Sequence, residues 1–151
     1  IRAYGMRAMD ALRLEKSYRL IPRELSIEYS PLESGLDRFV KLDKGDFIGR
    51  DGLIAWQERG FANRFVTMEV EEDGESDARG SEPILMGGEL VGRCTSGGYG
   101  FRTGKSLALG MVRPDLGEID SEVDITILGR ARRARVIGES PFDPANERLR
   151  A

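Results

Sequence analysis

The spacing of hydrophobic residues divides the chain into a helical first part and a β-rich second part. Residues 3–16 are rich in Ala, Met and Leu, which favour helix formation. Within them, Tyr4, Ala8, Ala11 and Leu12 recur at helical spacing. We therefore predict a helix that packs this face against the rest of the protein.

Prolines and glycines separate short elements between the first helix and the β-rich part. Residues 36–43 alternate between apolar and polar side chains, which predicts a short strand. Residues 51–59 have the pattern of an amphipathic helix, and Gly60 stands where a glycine commonly ends a helix. The pattern becomes β-like after this glycine, so we place the boundary between the two parts near residues 60–63.

Alternating apolar residues from residue 63 onward predict a series of short strands. The pair Gly87-Gly88 is typical of a two-residue hairpin turn, and the polar residues 71–82 predict a mobile loop. The predicted strands cover residues 63–72, 84–86, 89–91, 106–113, 123–127 and 131–137. Short strands separated by glycine turns favour a small antiparallel β-barrel or sandwich, and we assign the whole chain to the α+β class.

A glycine-rich segment at residues 95–100 has two interpretations. Its backbone N–H groups could cradle a phosphate, but the segment lacks the GxxxxGK[ST] spacing and the strand-to-helix context of a nucleotide loop. A tight turn between strands is the favoured interpretation. In that turn Gly97 and Gly98 would adopt backbone conformations that are closed to other residues.

The balance of charge gives no general attraction to nucleic acid or to anionic membranes. The chain has 23 Lys and Arg residues and 26 Asp and Glu residues, which gives a formal charge of −3. Four arginines cluster near its end, at Arg130, Arg132, Arg133 and Arg135. They have no interleaved aromatic residues, so we interpret them as a charged, solvated edge strand. We expect neither a nucleic-acid nor a membrane partner.

The residue types that the chain lacks exclude several kinds of chemistry. It has no His, so it cannot by itself build a Ser-His-Asp or Cys-His catalytic site. Its single cysteine, Cys94, allows no disulfide within the chain and no cysteine-rich zinc site, and we assign no metal ligands. This cysteine usage favours a reducing compartment, and we predict a cytoplasmic location. No apolar run approaches the roughly 20 residues of a membrane span.

The first residue of the chain is Ile1 rather than a start methionine, and no signal peptide follows it. We interpret this beginning as a cut within a longer polypeptide. The upstream part of that polypeptide is then an expected partner of the present chain.

Glu15 stands at the end of the first predicted helix, where a negative charge meets the unfavourable end of the helix dipole. A carboxylate has two oxygens that can accept a pair of N–H donors from an aminopyrimidine-like ring. The simpler interpretation is a solvated or Arg-paired glutamate. The residue pattern alone favours this simpler interpretation.

Several motifs in the same order resemble those of the glycine-cleavage T-protein (aminomethyltransferase) family. The resemblance spans nearly the whole chain. The matching segments are residues 8–15 (AMDALRLE), 30–35 (SPLESG), 40–50 (VKLDKGDFIGR), 95–98 (TSGG) and 141–144 (PFDP).

Three further segments are similar to one branch of that family, the C-terminal regions of dimethylglycine and sarcosine dehydrogenases. In those enzymes a T-protein-like part follows an FAD-dependent amine oxidase part. The segments are residues 14–19 (LEKSYR), residues 96–112 and the end of the chain at residues 141–151 (PFDPANERLRA).

The resemblance implies a fold and a division of the chain. Residues 1–60 would be the C-terminal part of the folate-binding domain. Residues 62–142 would be the family's C-terminal β-barrel, and residues 143–151 a C-terminal tail. The implied boundary agrees with the change of pattern at residues 60–63.

The resemblance also implies tetrahydrofolate as the cofactor and assigns four residues to its binding. Glu15 falls on the family's glutamate that hydrogen-bonds the pterin ring, and Lys44 on a basic residue near the folate tail. Arg64 is a second candidate for the acidic tail, and Tyr99 a candidate for the border of the site. No catalytic residue is assigned here, because the family's catalytic Asp belongs to an upstream segment.

The leading hypothesis is therefore the C-terminal part of a folate-dependent one-carbon transfer enzyme of the dimethylglycine or sarcosine dehydrogenase type. Its substrate would be a small methylated amine, with FAD only on an upstream domain, and the fragment alone would be inactive. The alternatives are a stand-alone aminomethyltransferase, a folate-dependent demethylase and a non-catalytic folate-binding scaffold. Cys94 keeps the scaffold open, because scaffold relatives carry a cysteine-containing motif in the TSGG region.

Overall fold

A computed structural model describes residues 3–72 and 75–151 of the chain. Two helices and a short 3₁₀ turn precede six strands, and a short helix follows them. The elements are α1 Met6–Leu14, a 3₁₀ turn Asp37–Phe39, α2 Arg50–Arg59, β1 Arg64–Val70, β2 Pro83–Met86, β3 Glu89–Gly100, β4 Lys105–Val112, a 3₁₀ turn Pro114–Leu116, β5 Glu122–Ile127, β6 Arg130–Ile137 and α3 Glu147–Arg150.

The six strands form a closed antiparallel barrel, which confirms the predicted fold class. Their order around the barrel is β1-β4-β3-β2-β5-β6, and β6 pairs back with β1. In β5 inward-facing residues alternate with outward-facing ones, so that Val123, Ile125 and Ile127 are buried and Glu122 is exposed. Closure of the barrel pairs both sides of each strand, so the alternation in the sequence translates directly into an inside and an outside. In contrast, β4 is buried on both faces, because Leu14 of α1 packs with Leu109 and Met111.

Two predicted glycine features are confirmed. Gly87 and Gly88 join β2 to β3 with φ angles of +59° and +85°, which L side chains rarely adopt. Gly60 is the C-cap residue of α2 and has a φ of +89°. The local chemistry of glycine therefore sets both of these chain reversals.

The prediction that the first helix packs its Tyr4 and Leu12 face against the rest of the protein is wrong for the described residues. Tyr4 is 72% exposed and Leu12 is 55% exposed, whereas Arg13 and Leu14 at the C-terminal end of α1 are buried. The reason is that α1 reaches the barrel with its last turn, where Leu14 packs near Gly98 of β3. The apolar residues of the earlier turns face away from the described part of the chain.

The strand predicted over residues 36–43 is also wrong. The chain forms a 3₁₀ turn at Asp37–Phe39, in which the Phe39 N–H donates to the Leu36 carbonyl (2.9 Å). An alternating pattern forms a stable strand only beside a pairing partner. Because the barrel is closed without this segment, no strand edge is available to pair with it.

The glycine-rich segment at residues 95–100 is not a turn. It forms the second half of β3 and pairs with β4. Neither Gly97 nor Gly98 has a positive φ. A Cβ on Gly97 would lie 2.5 Å from the carbonyl oxygen of Ala78, so the glycine is required by the close approach of another backbone. The turn itself follows at residues 101–104.

The arginine-rich strand is not an edge. β6 pairs with both β1 and β5, and its side chains alternate between exposed and buried positions. Arg132 is 7% exposed and donates to the Ser76 carbonyl (2.6 Å). Arg130 also pairs with Glu75 (2.8 Å), so two of the four arginines fasten residues 75–76 onto the barrel, and the prediction of a solvated edge strand is wrong.

The remaining segments connect these elements. Residues 71–82 contain no helix or strand in the parts that the structure describes, and residues 73–74 of the predicted mobile loop lie outside the described residues. The end of the chain returns to the first segment, where the Phe142 N–H donates to the Glu15 carbonyl (3.0 Å) and Lys16 donates to the Asp143 carbonyl (2.6 Å).

Across residues 3–72 and 75–151, every helix is too short or too polar to cross a bilayer.

Candidate functional site

Glu15 is held in a defined position at the C-cap of α1. The residue is 1% exposed. Its Oε1 accepts hydrogen bonds from the backbone N–H groups of Arg102 (2.6 Å) and Thr103 (2.8 Å), and from the Thr103 hydroxyl (3.3 Å). The interpretation as a solvated or Arg-paired glutamate is therefore wrong.

The turn between β3 and β4 supplies these donors. It spans residues 101–104 and closes with a bond from the Gly104 N–H to the Gly100 carbonyl (2.8 Å). Successive backbone N–H groups in such a turn converge and make a concave anion-binding feature. Among the residues that the structure describes, none donates a hydrogen bond to the other oxygen, Oε2, of Glu15. The carboxylate is thus fixed through one oxygen while the second keeps its acceptor capacity.

Tyr99 lies at the same end of the barrel as Glu15. Its ring meets that of Phe101 edge to face, with 5.2 Å between the ring centroids. Both rings line a cavity of about 460 Å³ together with Leu14, the residue before Glu15, and with Arg7 of α1. Glu15 itself does not line this cavity, and the link between Glu15 and Tyr99 is Gly100, which follows Tyr99 in β3 and lies against the Glu15 side chain.

Lys44 and Arg64 lie elsewhere. Lys44 is exposed, and its Nζ stands 4.6 Å from the centre of the Phe47 ring. Arg64 pairs with Glu118 (2.7 Å) and lines a different cavity of about 610 Å³. Neither residue shares the cavity of Tyr99, and the assignment of all four residues to folate stays a prediction.

A buried cluster around Glu24 was missed in the sequence. Glu24 is 0% exposed and receives hydrogen bonds from the hydroxyls of Thr95 and Ser96 and from the Leu20 N–H (2.8 Å). Arg13 of α1 lies 3.5 Å from the Glu24 carboxylate and donates to the Ser96 hydroxyl (2.8 Å). We call Arg13, Glu24, Thr95 and Ser96 the Glu24 cluster.

Glu33 supplies another buried carboxylate. Its Oε2 accepts from the Ser30 N–H (3.0 Å), and the Ser30 hydroxyl accepts from the Glu33 N–H (3.1 Å), as in a capping box. Its Oε1 accepts from the N–H groups of Ala62 and Asn63, directly before β1. No local sequence signal could have identified these donors to Oε1, because Ala62 and Asn63 lie about thirty residues further along the chain.

Cys94 is enclosed by the barrel and is 0% exposed. Burial raises the pKa of its thiol, and the nearby charge of Glu82 raises it further. A thiol that stays protonated and inaccessible is a poor nucleophile and a poor metal ligand. This observation argues against a functional cysteine motif next to Thr95.

Two family models match the chain. One describes the glycine cleavage T-protein C-terminal barrel domain and matches residues 63–143, and the other describes the GCVT N-terminal domain and matches residues 1–44. The division of the chain at residues 1–60, 62–142 and 143–151 stays a prediction.

Curated relatives of two kinds are similar to the chain. The mitochondrial dimethylglycine dehydrogenase of Mus musculus is 39% identical over 149 residues, which cover 97% of this chain and 17% of that protein. The aminomethyltransferase of Desulfitobacterium hafniense is 37% identical over 137 residues, which cover 91% of this chain and 37% of that protein. The chain therefore spans about a sixth of the dehydrogenase and just over a third of the aminomethyltransferase. A cytoplasmic location stays a prediction, and the mouse relative is named as mitochondrial.

A solved structure has the same fold. The crystal structure of the glycine cleavage system aminomethyltransferase T from Bartonella henselae aligns with a TM-score of 0.85 at 22% sequence identity. The alignment covers 93% of this chain and 39% of that one. With a family model matching more than half of its length and a closed barrel in the expected place, the chain belongs to the glycine cleavage T-protein family.

Proposed function

We propose that the chain forms the C-terminal part of a tetrahydrofolate-dependent one-carbon transfer enzyme in which Glu15 binds the pterin ring. The observation that carries this proposal is the state of the Glu15 carboxylate. It is 1% exposed, fixed by turn amides through Oε1, and has no hydrogen bond from the described residues on Oε2. A buried acceptor with capacity left over suits a ligand that presents N–H donors.

The residues present fit a reduced pterin. The sequence suggested that both oxygens of the Glu15 carboxylate accept from the ring, whereas in the structure only Oε2 is available. The edge of a pterin that carries its amino group presents N–H donors, and Glu15 offers Oε2 to accept from them. Oε1 is already occupied by the turn at residues 101–104. Bound tetrahydrofolate supplies nitrogen atoms that accept a one-carbon unit. In our proposal Glu15 orients the pterin, and Tyr99 and Phe101 border it.

The full reaction requires residues outside this chain. We place the catalytic Asp of the family upstream, and with it the site for a small methylated amine. The apolar side chains exposed on α1, such as Leu12, support this part of the proposal, because a further part of the polypeptide would cover them. FAD, where present, would be held by an upstream domain.

The dehydrogenase branch is favoured over a stand-alone aminomethyltransferase. This preference rests on residues 14–19, 96–112 and 141–151, which resemble the dehydrogenase branch. The alignment length does not separate the two branches, since matches to dimethylglycine dehydrogenases span 137 to 149 residues and the match to the Desulfitobacterium aminomethyltransferase spans 137. The percentages of identity, 39% and 37%, do not separate the two. A purified longer protein that contains this chain tests the branch directly, because an FAD-dependent dehydrogenase shows visible flavin absorbance and a free aminomethyltransferase does not.

Affinity for folate tests the role of Glu15 in that longer protein. We expect Glu15→Gln to weaken the binding of 5-formyltetrahydrofolate by roughly 10- to 100-fold in calorimetry, because a hydrogen bond to a charged acceptor is lost. Gln keeps the size of the side chain and an oxygen for the turn amides. Glu122→Gln is the matched control, since Glu122 is exposed on β5 and is not one of the residues assigned to folate. Unchanged affinity in Glu15→Gln would falsify the assignment.

A further inference from the structure

We propose that Glu24 is a positioning residue for folate binding, which acts on Glu15 through Arg13. This inference rests on the proposed function, because it concerns the same binding site. Glu24 itself lies away from the Glu15 carboxylate and makes its hydrogen bonds to Leu20, Thr95 and Ser96. Its effect on the ligand is therefore transmitted by the last turn of α1.

The Glu24 cluster fixes Arg13 by several contacts at once. The guanidinium donates to the Ser96 hydroxyl (2.8 Å), to the Tyr18 carbonyl (3.1 Å) and to Asp10 (2.9 Å), and it faces Glu24 at 3.5 Å. Arg13 is 8% exposed. A guanidinium held by this many acceptors has little rotational freedom, so the backbone of the α1 C-terminus is held with it.

Two sets of directional contacts orient this turn of α1: the hydrogen bonds of Arg13, and the contacts of residues 15–17 with the end of the chain, such as the bond from the Phe142 N–H to the Glu15 carbonyl (3.0 Å). Leu14 is the one buried hydrophobic residue of α1, and hydrophobic packing is not directional. Glu15 follows directly, so a rotation of the last turn would move its carboxylate. The contacts with the end of the chain hold the residues after α1, whereas the hydrogen bonds of Arg13 hold its last helical turn, from which the Glu15 side chain starts.

The Glu24 cluster and the turn that binds Glu15 belong to the same strand. Thr95 and Ser96 lie in β3, and β3 ends at Gly100, immediately before the turn that donates to Glu15. Arg13 is fixed near the middle of β3 and Glu15 beyond its end. Two anchors along one strand define the angle between α1 and the barrel, and hence the direction in which Oε2 points.

A double-mutant cycle in the longer, full-length protein tests the inference. We expect Glu24→Gln to weaken 5-formyltetrahydrofolate binding roughly tenfold or more, because loss of the buried charge releases Arg13. If Glu24 acts through Glu15, the Glu15→Gln and Glu24→Gln double variant binds no more weakly than Glu15→Gln alone. A general loss of structure would instead multiply the two single effects, and that result would overturn the inference.

Thr95 provides the second variant if Glu24→Gln does not fold. Thr95→Val removes the hydroxyl that donates to Glu24 at 2.6 Å, and Thr95→Ser retains it. We expect weaker folate binding in Thr95→Val and restored binding in Thr95→Ser. Equal affinity of Thr95→Val and wild type would overturn the inference. If Glu15→Gln itself binds folate normally, the proposed function fails as well, which separates the two failures.

Discussion

Three buried glutamates join the N-terminal segment to the barrel. Glu15 binds the turn after β3, Glu24 binds hydroxyls within β3, and Glu33 binds the N–H groups of Ala62 and Asn63 before β1. Each carboxylate accepts at least two hydrogen bonds in a low-dielectric environment, where an unpaired charge would be costly, and Oε2 of Glu15 keeps acceptor capacity for a ligand. These hydrogen bonds add to an apolar contact across the same interface, where Leu14 and Tyr29 pack with Phe65, Leu109 and Met111 of β1 and β4.

Cys94 makes the barrel less stable at alkaline pH. Burial raises the pKa of the thiol in the folded state, whereas an unfolded cysteine ionises near pH 8.5 or so. The unfolded state loses its proton first, so the free energy of unfolding falls as the pH rises. We expect this thiol to lower it by about 2 kcal/mol between about pH 7 and pH 10. Urea unfolding of wild type and Cys94→Ala at both pH values measures the difference, and equal falls in the two proteins would contradict it.

Sequence reasoning identified Glu15 and overlooked Glu24 for physical reasons. Glu15 lies in a motif that resembles the T-protein family, whereas nothing around Glu24 has a periodic pattern. Burial of a carboxylate depends on donors far away in the chain, such as Thr95 and Ser96 for Glu24. A local pattern contains no information about such partners. The same holds for the turn at residues 101–104 that binds Glu15.

At the scale of elements, the second half of β3 depends on Gly97, because a side chain at this position would collide with the backbone of Ala78. A Cβ on Gly97 would lie 2.5 Å from the Ala78 carbonyl oxygen, and backbone atoms cannot yield easily. We expect Gly97→Ala to destabilise the protein by about 1–3 kcal/mol, as overpacking does. Gly52→Ala in α2 meets nothing within 4 Å and should stabilise the protein by up to about 1 kcal/mol. Urea unfolding of the two variants compares them, and a neutral Gly97→Ala would show that Ala78 moves away freely.

Strands predicted from the sequence pattern formed only where a neighbouring strand of the barrel pairs with them. Strand β5 alternates in sequence and in burial, because one of its faces lies inside the closed barrel, whereas β4 is buried on both faces from Ser106 to Val112. Residues 36–43 alternate equally well but have no strand beside them, so they form a 3₁₀ turn. Residues 95–100 contain three glycines and were interpreted as a turn, although β4 pairs with them. Pairing between distant segments decided both cases.

At the scale of the whole molecule, the N-terminal segment has almost no hydrophobic core of its own. Within residues 3–62, Leu14 is the buried hydrophobic residue, and the other buried side chains are polar or charged. Large apolar side chains such as Met6, Leu12 and Ile48 are exposed instead, at 76%, 55% and 105%. A segment of this kind depends on neighbours for its stability. The barrel provides one neighbour, and the proposed upstream part of the polypeptide provides another.

Leu12 distinguishes these two neighbours experimentally. In the present chain the side chain is 55% exposed, so Leu12→Glu should change the free energy of unfolding by no more than about 0.5 kcal/mol. In the longer protein we expect Leu12 to be covered, and burying a carboxylate in its place should cost about 2 kcal/mol or more. Thermal unfolding of both lengths measures the contrast. Leu128→Glu, on the exposed turn between β5 and β6, is the matched control. If Leu12→Glu shifts the melting temperature of the longer protein no more than this control does, the upstream part does not cover α1.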